Sequence, residues 1–275
     1  RQGAGAEHRA HWMSFDVEAA TAAYIDGLGE EALAQAAAYT TGNQWLILWG
    51  LLISAIVTLI IIRTGWLTKT DNKLSKRGFI IRVFSISAVY LVVSEVLEMP
   101  WSVFAGWWRE TEYGRTSQPL MDFLSQGLLA LAISVLLFGL FLVAIYAFIQ
   151  KAKRLWWFWG GAFSGVCVAV LMVVGPTYIA PLFNDYQPVP PGEVRDAVEA
   201  MAINAGIPTD RIFMYDGSRQ SNNFTANVAG IGGAARIAIS DVALDEAVGV
   251  LVPALRLLPA AIGVHRRRGA RAGAR

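Results

Sequence analysis

A single cysteine, Cys167, occurs among the 275 residues, so neither an intrachain disulfide nor a cysteine-based metal cluster can be built from this sequence. Histidine is nearly as scarce, at three: His8, His11 and His265. Charged residues make up 16% against 55% hydrophobic, a balance too apolar for an ordinary soluble domain of this length. The formal charge of +2 does not argue for a nucleic-acid partner, because the excess comes from Arg256, Arg266, Arg267, Arg268, Arg271 and Arg275. Elsewhere acidic residues outnumber basic ones, and nucleic acid is excluded as a partner on that ground.

The apolar residues are gathered in runs. Residues 45–62 and 127–149 are each long enough to cross a hydrocarbon core of about 30 Å at ~1.5 Å per residue. Residues 155–176 form a third run, fronted by Trp156, Trp157 and Trp159, the residue type favoured at a lipid interface. A fourth, 79–97, is weaker because Arg82 and Glu95 stand near its ends. Cys167 lies within a predicted span and reads as packing. These runs predict an integral, multi-pass membrane protein with lipid as a partner, in the inner membrane if the source is bacterial.

The link between the first two spans holds Arg63, Lys69, Lys73, Lys76, Arg77 and Arg82 against Asp71 alone, and the link between the last two is Lys151, Lys153 and Arg154. By the positive-inside rule these links face the cytoplasm, which puts residues 177 onward on the other side.

Four regions are expected: an N-terminal segment, 1–43, with an amphipathic helix over 16–38; a transmembrane helical domain, 44–176; a partial soluble domain, 177–246; and an aberrant basic tail, 247–275. In the third, Pro188, Pro190 and Pro191 lead into a helix over 193–205 whose face is Val194, Ala197, Val198, Met201 and Ala205, with Gly206 closing it. Strands are predicted over 211–215, 223–229 and 236–240, with a turn at Asp216-Gly217-Ser218. Glu95 and Glu98, at the end of the second span, are candidates for lining a chamber.

Several motifs stand in a fixed order: Met99-Pro-Trp-Ser102, Glu110-Thr-Glu-Tyr-Gly114, Pro176-Thr-Tyr-Ile-Ala-Pro-Leu-Phe-Asn184, Asp216-Gly-Ser-Arg219 and Arg236-Ile-Ala-Ile-Ser-Asp241. With the spans, they resemble the N-terminal part of the CAAX prenyl protease 1 family of membrane zinc metalloendopeptidases. The resemblance implies a fold that is all-α in the membrane, with about four transmembrane helices, followed by an incomplete α+β zinc-metallopeptidase domain. It also implies a peptide substrate, prenylated or not, held along an edge strand, and Thr225, Ala226 and Asn227 are the substrate-binding residues it points to. It would place residues 177 onward on the cytoplasmic side, opposite to the side that the basic links favour.

Zinc belongs to the full-length family, whose chemistry uses two histidines four apart on a helix with a glutamate between them. Asp245-Glu246-Ala247 would lead into that helix, but no His-Glu-x-x-His occurs in the sequence. Pro253 and Pro259 interrupt the region, and the composition turns to Ala, Leu, Pro, Gly and Arg, as a shifted reading frame would produce. The expectation is therefore no catalytic residue, no metal ligand and no bound zinc in this chain, which lacks the second half of the site and is inactive as it stands. A non-catalytic membrane peptide-binding protein is the alternative.

Overall fold

Lipid offers no partner to a backbone N–H or C=O, so long apolar runs satisfy their own backbone as helices. The computed structural model describes residues 17–230 and 235–246. It divides into two compact units, Arg1–Thr58 and Leu59–Arg275.

In the first unit lie α1 (Val17–Gly27) and the larger part of α2 (Glu30–Thr64). The single helix expected over 16–38 is thus two helices. Gly29 takes φ 82°, a left-handed value that suits glycine and ends a helix, and Glu30 and Glu31 open the next one with acids in its first turn. That second helix runs without interruption into the first span.

The second unit continues with α3 (Trp66–Lys73), α4 (Phe79–Val103), a π turn at Phe104–Trp108, α5 (Arg109–Glu112), α6 (Leu120–Lys151) and α7 (Trp156–Val174). Among the described residues, four stretches are long and apolar enough to cross a membrane: Glu30–Thr64, Phe79–Glu112, Leu120–Lys151 and Lys153–Leu182. These are the four spans read from the sequence, each extended beyond its apolar run. Large apolar side chains face outward along them, Leu128 at 68% exposure and Val166 at 61%, as lipid-facing surfaces require. α4 and α6 approach closely where Gly139 meets Phe84, since a Cβ on Gly139 would lie 2.7 Å from Phe84 Cε2.

Beyond the spans, α8 (Glu193–Ala205) ends at Gly206, φ 69°, as expected. A four-stranded sheet has the order β1-β2-β4-β3, from β1 (Tyr186–Pro188), β2 (Ile212–Tyr215), β3 (Ala226–Ala229) and β4 (Arg236–Ser240). β2 and β4 are parallel, and the outer pairs are antiparallel. The strand expected over 223–229 begins only at Ala226. β1 was hidden by Pro188, a residue type tolerated on sheet edges, where β1 lies.

Val189, Ala202, Ile212, Ile237, Ile239, Ala243 and Leu244 form the buried core of this piece. They come from the residue after β1, from one face of β2 and β4, from α8 and from α9 (Asp241–Glu246). The architecture agrees with the expected class: membrane helices followed by a small α+β piece.

Candidate peptide-binding site

β3 forms one edge of the sheet, and residues 224–228 are all exposed. At its start, Ser240 N–H donates to the Thr225 carbonyl at 2.8 Å. Antiparallel ladders alternate, so Thr225 and Asn227 direct their backbone groups toward β4 while Ala226 and Val228 direct theirs away, to the open side.

Ser240 anchors this edge. Its hydroxyl is buried, accepts from Thr225 N–H at 3.3 Å and accepts from Ala243 N–H at 3.1 Å, so one side chain ties the lead into β3 and caps α9. Next to it, the Asp241 carboxylate accepts from the Ser218 and Val242 N–H groups at 2.8 Å each and from the Ser218 hydroxyl. Burial would raise the Asp241 pKa, but these donors outweigh it and hold the group below the ordinary value of 3.8. Gly217 fits beneath, where a Cβ would lie 2.7 Å from Ser240 Cβ.

The loop 216–222 reaches from the sheet to the link between α4 and α6. Arg219 donates to Asp122 through Nη2 at 2.5 Å and Nε at 3.2 Å, a fork matched to a carboxylate. The Asp122 hydrogen bonds and charge hold the Arg219 guanidinium above its ordinary pKa. Gln220 Nε2 donates to Gln126 Oε1 at 2.8 Å, and Thr116 Oγ1 donates to the Gln220 carbonyl at 2.8 Å. Asn222 N–H donates to the Arg115 carbonyl at 2.8 Å, and its Nδ2 donates to that of Gly114 at 3.0 Å.

Beneath this loop is a cavity of ≈ 820 Å³ between α4 and α6. Val92, Val96, Met99, Phe123 and Phe183 supply apolar walls, and Glu95, Gln118, Gln126 and Gln220 supply polar groups. Of the two glutamates proposed from sequence, Glu95 lines the cavity and Glu98 does not. A smaller hollow of ≈ 470 Å³ is lined by Asn184, Asp216 and Arg219, from two of the ordered motifs, and by Asp185.

Thr225, Ala226 and Asn227 are therefore contiguous on an open edge, Thr225 immediately before the strand and the other two within it. Sequence reasoning missed Asp122, Gln118, Gln126 and Gln220. Asp122 and Gln126 meet Arg219 and Gln220 across 97 and 94 positions, Gln118 joins them through Asp122, and no local pattern marks them.

Among the described residues no three His, Cys, Asp or Glu side chains come together as a metal site. The histidines and the region after Glu246 fall outside the described residues. The described residues do not supply the donor set that zinc needs.

A family model described as CAAX prenyl protease N-terminal, five membrane helices, matches residues 17–185. The chain belongs to the CAAX prenyl protease family. It is 28% identical over 167 residues to a CAAX prenyl protease 1 homolog of Arabidopsis thaliana, covering 61% of this chain and 39% of that protein. To the uncharacterized metalloprotease YhfN of Bacillus subtilis it is 25% identical over 205 residues, covering 74% and 46%. The crystal structure of S. mikatae Ste24p shares the fold, with a TM-score of 0.65 at 18% identity, over 81% of this chain and 57% of that one. The chain thus spans about two fifths of the length of the curated relatives it matches. The CAAX prenyl protease model describes five membrane helices, against four among the described residues.

Proposed function

We propose that the chain is the membrane scaffold and substrate-holding portion of a protease-like protein that takes peptides, with residues 44–176 as scaffold and 177–246 as the peptide-holding part. The observation that carries this reading is the exposed edge at Thr225, Ala226 and Asn227, pinned through Ser240. An extended peptide can add there as a further strand, using the outward backbone groups of Ala226 and Val228. Thr225 and Asn227 then flank the peptide backbone and bias which sequences lie flat.

The apolar cavity suits the greasy part of a substrate, an isoprenoid on a prenylated peptide being the size class that ≈ 820 Å³ admits. Gln220 contributes to that cavity and belongs to the loop that leads into β3, so a peptide and its lipid would be held by connected elements. Family membership supports zinc endopeptidase chemistry for full-length relatives. For this chain, whose sequence carries no His-Glu-x-x-His, binding without cleavage is the reading.

The test is capture of a farnesylated peptide and its unmodified counterpart by the purified chain in nanodiscs, with a photoreactive residue replacing Asn227. Crosslinking at that position, lost on Ala226→Pro, is expected, because proline removes an outward N–H while sparing the ladder to β4. No crosslink with either peptide would overturn the binding role. One zinc per chain with chelator-sensitive cleavage would overturn the non-catalytic part.

A further inference from the structure

α3 lies against α4 with two unlike faces. Leu67, Thr70 and Asp71, spaced as one helical face, are half-buried, as is Leu74 at its end, whereas Lys69, Asn72 and Lys73 on the helix and Lys76 just beyond it are exposed. Asp71 accepts from Arg82 Nη2 at 2.6 Å and Nε at 2.9 Å, which fastens α3 to the first turn of α4. That bond also neutralises the one acid in this link. Among the described residues Lys69, Lys73, Lys76 and Arg77 have no carboxylate within ion-pair distance.

The link between α6 and α7 adds to the same end. α4 and α6 are consecutive spans, so the start of one and the finish of the other lie at one end of the bundle. Lys151, Lys153 and Arg154 are exposed there, and likewise without a carboxylate partner among the described residues. Lys153 takes φ 45°, a left-handed conformation disfavoured for a residue with a Cβ, so the basic turn is tight. It leads directly into Trp156, Trp157 and Trp159, all exposed, and indoles settle at headgroup depth.

Uncompensated cations at that depth, flanked by exposed indoles, match a headgroup with net negative charge better than a zwitterionic one, which brings its own ammonium. We propose that this end of the bundle is a binding surface for anionic phospholipid headgroups, with α3 lying along the membrane surface and the Lys151–Arg154 turn forming its second wall.

The test uses the whole chain in nanodiscs of phosphatidylcholine and phosphatidylglycerol, with retained lipid counted by native mass spectrometry. Phosphatidylglycerol should be retained over phosphatidylcholine, and less so at high salt. Glutamine at Lys69, Lys73, Lys76 and Arg77, or at Lys151, Lys153 and Arg154, should each weaken that preference by roughly fivefold or more, since every cation near an anionic surface contributes. Lys69→Arg with Lys73→Arg should keep it, and helix content by circular dichroism should be unchanged throughout. Equal retention of the two lipids, a preference intact in both glutamine variants, or displacement by free glycerol phosphate would each overturn the proposal.

Discussion

Arg219 and Asp122 form a two-pronged ion pair, 2.5 Å at its shorter arm, between residues 97 positions apart. One partner belongs to the loop after β2, and the other to the first turn of α6. Both groups meet water, so the pair contributes little to global stability and serves instead to set where the loop stands. Arg219→Gln should leave the unfolding temperature nearly unchanged while raising hydrogen exchange across 216–222. Unaltered exchange there would show that Gln220 and Asn222 suffice to hold the loop.

Ser240 has a different weight because its hydroxyl is buried and serves two backbone donors. Ser240→Ala should destabilise the sheet piece by about 1–2 kcal/mol, combining a lost cap with a donor left unsatisfied. Denaturant unfolding followed by a probe near the sheet measures this, and peptide capture at β3 should weaken in parallel.

The acid response follows from Asp241. Its folded pKa lies below the unfolded value of 3.8, so the stability it contributes is complete above 3.8 and is lost as pH falls through the lower folded value. Ser218→Ala removes one of the donors and should move that loss upward, toward 3.8. A carbon-13 titration of the Asp241 carboxyl, compared between the two proteins, reads the shift directly.

Gly139 offers a test inside the membrane. Phe84 occupies the space a side chain would need, so Gly139→Leu should cost about 1–3 kcal/mol by overpacking and drive α4 and α6 apart. Its effect should be visible as lost resistance to detergent unfolding. Pairing it with Phe84→Ala should recover part of the loss, because the ring and the new side chain compete for one volume.

Much of the fold was legible because lipid reduces the problem to run length. Residues 45–62, 79–97, 127–149 and 155–176 declared themselves as helices, and the ordered motifs carried the family. α8 was legible down to Gly206, since its face and its cap are local signals. The break at Gly29 was lost within an alanine-rich pattern that carries helical spacing on both sides of it. β1 was lost because three residues containing a proline do not look like a strand until a neighbour pairs with them. Of the site, the edge Thr225, Ala226 and Asn227 came from resemblance and not from any residue pattern. The contacts from Asp122, Gln126 and Thr116 to the loop around Arg219 depend on distant segments meeting, which no window of sequence encodes.

The two rims of the sheet are chemically unequal. Val189 N–H donates to the Ile212 carbonyl, so Pro188 presents its ring nitrogen, which has no hydrogen, to the outer side of β1. A molecule with one receptive rim and one blunted rim can be extended by a single extra strand but cannot be stacked rim to rim into a growing ribbon. The proline that disguised β1 thus protects against self-assembly while leaving β3 accessible.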